Sequence, residues 1–121
     1  MTQVQTEHFK ELIEKKRDEL VKAIRAQAAG ITIVESEHDP IDQMQSMSMR
    51  EASAGRLAHM CRVLSQVDRS LEAISNGWYG LCADCEEPIS LKRLQVIPWA
   101  SHCVGCQERL ERLEVEELKA A

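Results

Sequence analysis

Two close pairs of cysteines constrain this chain more than any other feature. Cys82-Ala-Asp-Cys85 is followed, after the 17 residues 86–102, by Cys103-Val-Gly-Cys106. Each pair supplies two thiols from one short turn, and the segment between folds back so that both turns meet around a tetrahedral ion. Four thiolates fill the coordination shell and leave no open position. That marks one structural zinc ion per chain, held by Cys82, Cys85, Cys103 and Cys106, rather than a catalytic metal. An iron–sulfur cluster is the alternative metal group, because thiolates suit it as well.

The rest of the composition agrees with a small metal-supported head on a longer helical body. Phe9, Trp78, Tyr79 and Trp99 are the only aromatic residues in 121, and three of them fall between 78 and 99. So few large apolar groups do not build a large core, and a head this small gains from a metal. The N-terminal sequence MTQVQTEHFKELIEKK is polar and charged, without the apolar core of a signal peptide. No apolar run is long enough to span a bilayer. A cytoplasmic location without membrane attachment is therefore expected, and there cysteines serve metals before disulfides. The formal net charge of -5 argues against a general nucleic-acid binder, whose affinity comes from neutralising phosphates.

The chain before the cysteines has helical periodicity. Phe9, Leu12, Ile13, Leu20, Val21 and Ile24 share one stripe of a helix over 3–29, interrupted by Lys16 and Arg17, with Gly30 as a stop. A second helix is expected from Asp39 to about Ser75. Asp39 caps it, Pro40 suits the first helical position, Asp42 places negative charge near the positive end of the dipole, and Asn76-Gly77 ends it. Leu57, Cys61, Leu64, Leu71 and Ile74 form its stripe, with Asp68 as an interruption and Cys61 as a small buried residue. The expected fold is mainly α: an antiparallel helical hairpin over 1–77, a coiled coil or, given the interrupted stripes, a looser helical pair, with a tip loop near 30–42, then a zinc finger and a C-terminal helix over 78–121. That last helix is expected over 107–119, with Leu110, Leu113 and Leu118 available for packing.

The segment from Gly80 to Gln107 resembles the zinc finger of the DksA/TraR family. Its marks are Tyr79-Gly80 before the first cysteine, Pro88-Ile89, Arg93-Leu94, Pro98, Ala100, and the terminal Cys103-Val-Gly-Cys106-Gln107. The resemblance extends to the hairpin, where Asp39-Pro40-Ile41-Asp42 is similar to the acidic tip of such proteins, 43 residues before Cys82. It implies a monomeric transcription regulator that binds bacterial RNA polymerase without reading a promoter sequence. The hairpin enters the secondary channel, the zinc head stays at its rim, and the acidic tip, here Asp39 and Asp42, alters promoter-complex stability. Two departures stand out. The family commonly has alanine two residues after its second tip aspartate, and this chain has Met44. Positions matching the family's basic contacts for guanosine tetraphosphate are Gln66, Ile97 and Gln107, none of them cationic, so little response to that alarmone is expected.

Three other functions compete with this one. A zinc-stabilised helical adaptor for another protein is the main alternative. Sequence-specific DNA binding has Lys92 and Arg93 in its favour, against Asp84, Glu86 and Glu87 in the same finger. An enzyme has no open metal position and no nucleophile–base pair to support it.

Overall fold

A computed structural model describes residues 1–32 and 40–120. Four helices follow in order: α1 (Gln3–Thr32), α2 (Pro40–Asn76), α3 (Leu91–Val96) and α4 (Val104–Ala120). The fold is mainly helical, two long helices that contact one another as a hairpin, followed by a four-cysteine head and a C-terminal helix. The chain divides into two compact units, one of Met1–Glu14 with Gln66–Ala121 and one of Lys15–Ser65.

In the first unit α1 starts on a reciprocal cap. The Thr2 backbone N–H donates to Gln5 Oε1 at 3.0 Å, and the Gln5 N–H donates to Thr2 Oγ1 at 3.2 Å. These bonds satisfy two of the donors that a helix start leaves open. At the other end of the hairpin sequence, α2 stops as its Asn76-Gly77 pair dictates. Gly77 takes φ 82° and the Trp78 N–H reaches back to the Ala73 carbonyl at 3.0 Å, the six-residue closure that a left-handed glycine permits. The core of this unit comprises Phe9 and Ile13 of α1, Val67 and Ala73 of α2, and Cys82, Ile89, Leu94 and Cys106 of the head. Phe9 packs at a tilt on Tyr79, with ring centroids 6.0 Å apart. The Tyr79 hydroxyl donates to the Pro98 carbonyl at 2.6 Å, so the ring ties the start of the head to its far side, and burial pushes its phenol above the ordinary range. Ser70 is the one buried polar side chain here, and its hydroxyl donates to the Gln66 carbonyl at 2.9 Å.

The second unit holds the later part of α1 and the earlier part of α2, and it is thinly packed. Leu20 is its only buried hydrophobic residue among those described, with Val21, Ile24, Leu57, Met60 and Leu64 half-buried.

Several expectations change in detail. α1 continues through Gly30 to Thr32, because one glycine costs a helix only about 1 kcal/mol and does not end it. The stripe of α2 is a continuous heptad of Leu57, Met60, Leu64, Val67, Leu71 and Ile74, all buried or half-buried. Cys61 and Asp68 each lie one position beside it and are exposed. Cys61 is therefore not a core residue, and Asp68 does not interrupt the seam. α4 begins at Val104 instead of 107, and of its three leucines only Leu110 is partly covered. Leu113 and Leu118 are 49% and 77% exposed.

Truncating the fully buried Ile13 to alanine is expected to cost about 2–5 kcal/mol, since both transfer energy and a cavity are lost. The adjacent Leu12, 39% exposed, should cost far less. Urea unfolding of the zinc-loaded variants measures both, and equal losses would contradict this seam.

Candidate metal centre

The head is built so that two turns present their thiols to one point. The first turn sits on a short antiparallel bridge between Leu81 and Pro88. Ile89 N–H donates to the Gly80 carbonyl at 2.7 Å and Cys82 N–H to the Glu87 carbonyl at 2.9 Å, which closes the loop around Cys82–Cys85. Gly80, at φ 89°, is needed here, because a Cβ would also meet the Met1 and Leu94 side chains at 3.3 and 3.7 Å. Glu86 leaves the turn at φ 62°, the left-handed conformation that most residues avoid. Helix α3 then turns the chain back. Ser90 caps it through its hydroxyl, which accepts from the Arg93 N–H at 3.2 Å, and Leu94 anchors it with no exposure at all. Arg93 Nε donates to the His102 carbonyl at 3.0 Å and so holds the approach to the second turn.

Cys103 has two roles in that second turn. Its sulfur accepts from the Cys106 N–H at 3.5 Å and its carbonyl from the Gln107 N–H at 2.9 Å, which makes it the N-cap of α4. Cys106 lies in the first turn of the helix, where the dipole favours negative sulfur.

The four sulfurs of Cys82, Cys85, Cys103 and Cys106 all lie within 4.8 Å of one another. Cys85 and Cys103 are 3.8 Å apart at sulfur, far beyond a disulfide bond and equal to the edge of a tetrahedron with Zn–S of about 2.3 Å. The donor set thus fits one zinc ion, and the filled shell leaves it structural. His102 turns its Nδ1 to the Ser101 hydroxyl at 3.0 Å and is not among the clustered ligands. The thiols are electrostatically unequal. Burial pushes Cys82 up, but backbone N–H groups of Cys85, Cys103 and Asp84, with the Cys85 thiol, outweigh it and bring Cys82 down to about 6. The Cys103 sulfur, then burial and the other two sulfurs, push Cys106 up to about 12. Four adjacent thiols cannot all ionise unaided, and a dication is what allows it.

Outside the ligands, Arg109 of α4 forms an ion pair with Asp84 of the first turn, and its Nη2 lies 3.8 Å from Cys106 Sγ. Sequence reasoning did not find this pair, nor the bracing by Arg93, because neither has a spacing that marks it.

Comparison with known proteins decides the family. The profile for the prokaryotic dksA/traR C4-type zinc finger matches residues 77–112. The RNA polymerase-binding transcription factor DksA of Caulobacter vibrioides is 30% identical over 115 residues, covering 94% of this chain and 81% of that protein. This chain belongs to the DksA/TraR family. The DksA of Salmonella typhimurium is 24% identical over 123 residues, covering 92% of this chain and 74% of its own. The solved structure of transcription factor DksA2 from Pseudomonas aeruginosa aligns with a TM-score of 0.76 at 30% identity, over 94% of this chain and 88% of that one. In DksA/TraR terms the four cysteines are the C4 zinc set. Of the two aspartates expected at the tip, Asp39 lies outside the described residues, and Asp42 is described only as the third residue of α2, without its side chain.

Proposed function

We propose that this chain is a transcription regulator that binds RNA polymerase and is not an enzyme. The observation that carries this reading is a resemblance over nearly the whole chain, head and hairpin together, to proteins named for that activity. A shared zinc finger alone would support only a shared head. In finer detail, the hairpin enters the secondary channel of a cytoplasmic polymerase as a monomer, and Asp39 and Asp42 at its tip modulate promoter complexes. A two-helix arm suits such an opening, and no described helix is apolar enough to cross a membrane. The finger offers little to DNA: Arg93 spends its Nε inside the head, and Asp84, Glu86 and Glu87 surround the first turn. Gln66, Ile97 and Gln107 all fall in the first unit, so an alarmone bound beside the head would meet no cation at those positions.

The test uses zinc-loaded protein and purified polymerase. The protein should compete with a second channel-binding factor for polymerase and should change the lifetime of open promoter complexes. If polymerase does not retain the protein at all, while some other protein does so stoichiometrically, the adaptor reading replaces this one.

A further inference from the structure

We infer that Asp84 and Arg109 form a clasp outside the zinc shell that sets how long the metal is retained, with Arg109 acting directly on the Cys106 thiolate. Neither residue is a ligand. Asp84 belongs to the first turn, between Cys82 and Cys85, while Arg109 lies one helical turn after Cys106 on α4. Their ion pair therefore joins the two halves of the centre, which the sequence separates by 25 positions. The same guanidinium group extends to Cys106 Sγ at 3.8 Å, a charge-assisted N–H···S contact. The clasp closes a ring from the first turn through the carboxylate and guanidinium to a ligand of the second.

The chemistry of the set explains why such a group matters. Four thiolates around one dication leave the site with an excess of negative charge. Asp84, Glu86 and Glu87 add to it from the first turn. Arg109 is the cation placed on a ligand sulfur among the described residues, and it draws charge from the thiolate that zinc loss would have to protonate. Groups beyond the ligands commonly change metal affinity by 10–100-fold through such contacts. The ion pair alone does not account for an effect of that size, because its side chains are 55% and 43% exposed and pairs so exposed contribute little.

The experiment follows zinc transfer from the loaded protein to excess chromogenic chelator for the parent, Arg109→Gln, Asp84→Asn, both together, and the charge swap Asp84→Arg with Arg109→Asp. Zinc content and far-UV circular dichroism verify first that each variant is loaded and helical. Each single change should speed transfer about tenfold, and the double variant should be no faster than the faster single. The swap should stay fast, because it restores an ion pair but turns a carboxylate towards Cys106. In the cobalt-substituted protein the sulfur-to-metal charge-transfer band should shift in Arg109→Gln and keep its parent position in Asp84→Glu. Parent-like rates in both single variants, independent additive effects in the double, or full recovery in the swap would each overturn the clasp. The last would reduce it to an ordinary surface brace.

Discussion

Replacing Cys85 with serine is expected to abolish stable zinc binding and unfold the head. The three remaining thiols would have to hold the ion with a vacant position, and the other ties between the turns, the Ala83 N–H to Ser101 carbonyl bond and the exposed Asp84–Arg109 pair, contribute far less than the metal. The head's buried residues are few: Cys82, Ile89, Leu94, Pro98 and Cys106, of which two are ligands themselves. Zinc binding in small domains supplies about 10–16 kcal/mol of folding free energy, more than so thin a core offers. Trp78 and Trp99 both lie in the head and are the only tryptophans, so their emission reports on it. Cys85→Ser, or chelation of the parent, should shift that emission to longer wavelength and remove the cooperative melt of the head. Cys61→Ser should retain one zinc, since Cys61 is exposed on α2 and outside the cluster. The pH dependence follows from the thiols. Cys106, held near 12 without metal, enters the complex as a thiol and must surrender its proton, whereas Cys82, near 6, is largely ionised at neutral pH. Zinc uptake therefore releases protons, and its affinity falls as pH falls. Calorimetry in two buffers of different ionisation enthalpy reads this release, and a proton count of zero would refute the assignment.

How much of this was legible in the sequence differs between the two kinds of element. The zinc ligands were readable because coordination needs particular atoms at particular spacings, and two Cys-x-x-Cys turns at this separation do little in a protein except hold a metal. The α2 boundaries were readable for a similar local reason, with Pro40 at its start and Asn76-Gly77 at its end. The seam was harder. Cys61 and Asp68 sit next to Met60 and Val67, and on a helical wheel neighbours differ by about 100°, so a stripe drawn through the wrong member still looks periodic. Only packing reveals which of them turns inward, and Val67 has no exposure at all. Helix α3 was missed because six residues are too few for periodicity, and its existence rests on the Ser90 cap and the buried Leu94. The Asp84–Arg109 pair has no local signature whatever. Glu86 is a further case: a glycine would have announced the left-handed turn, and glutamate hides it.

The acidic tip gives the second large effect. The variant Asp39→Asn with Asp42→Asn is expected to bind polymerase normally and to lose most of its effect on promoter-complex lifetime. Charge has to be separated here from helix capping, because α2 begins at Pro40 with Asp42 as its third residue, and the sequence places Asp39 directly before Pro40. Removing a good cap costs about 1 kcal/mol, so alanine at Asp39 would confuse the two roles. Asparagine caps about as well as aspartate and removes only the charge. At Asp42, the third residue of a 37-residue helix, the lost dipole interaction is about 0.3–1 kcal/mol, enough to loosen one turn and not the helix. Helicity and zinc content should therefore match the parent. Binding should survive as well, because the proposed mode assigns it to the flanks of the hairpin and to the head. The effect on transcription should not, because a neutral amide cannot act as a carboxylate on the basic or metal-binding groups of a polymerase channel. Two measurements on the same protein decide it: competition for the channel, and decay of open complexes. If the double variant competes like the parent and still changes complex lifetime to the same extent, the aspartates serve only to start α2, and regulation must come from elsewhere on the arm.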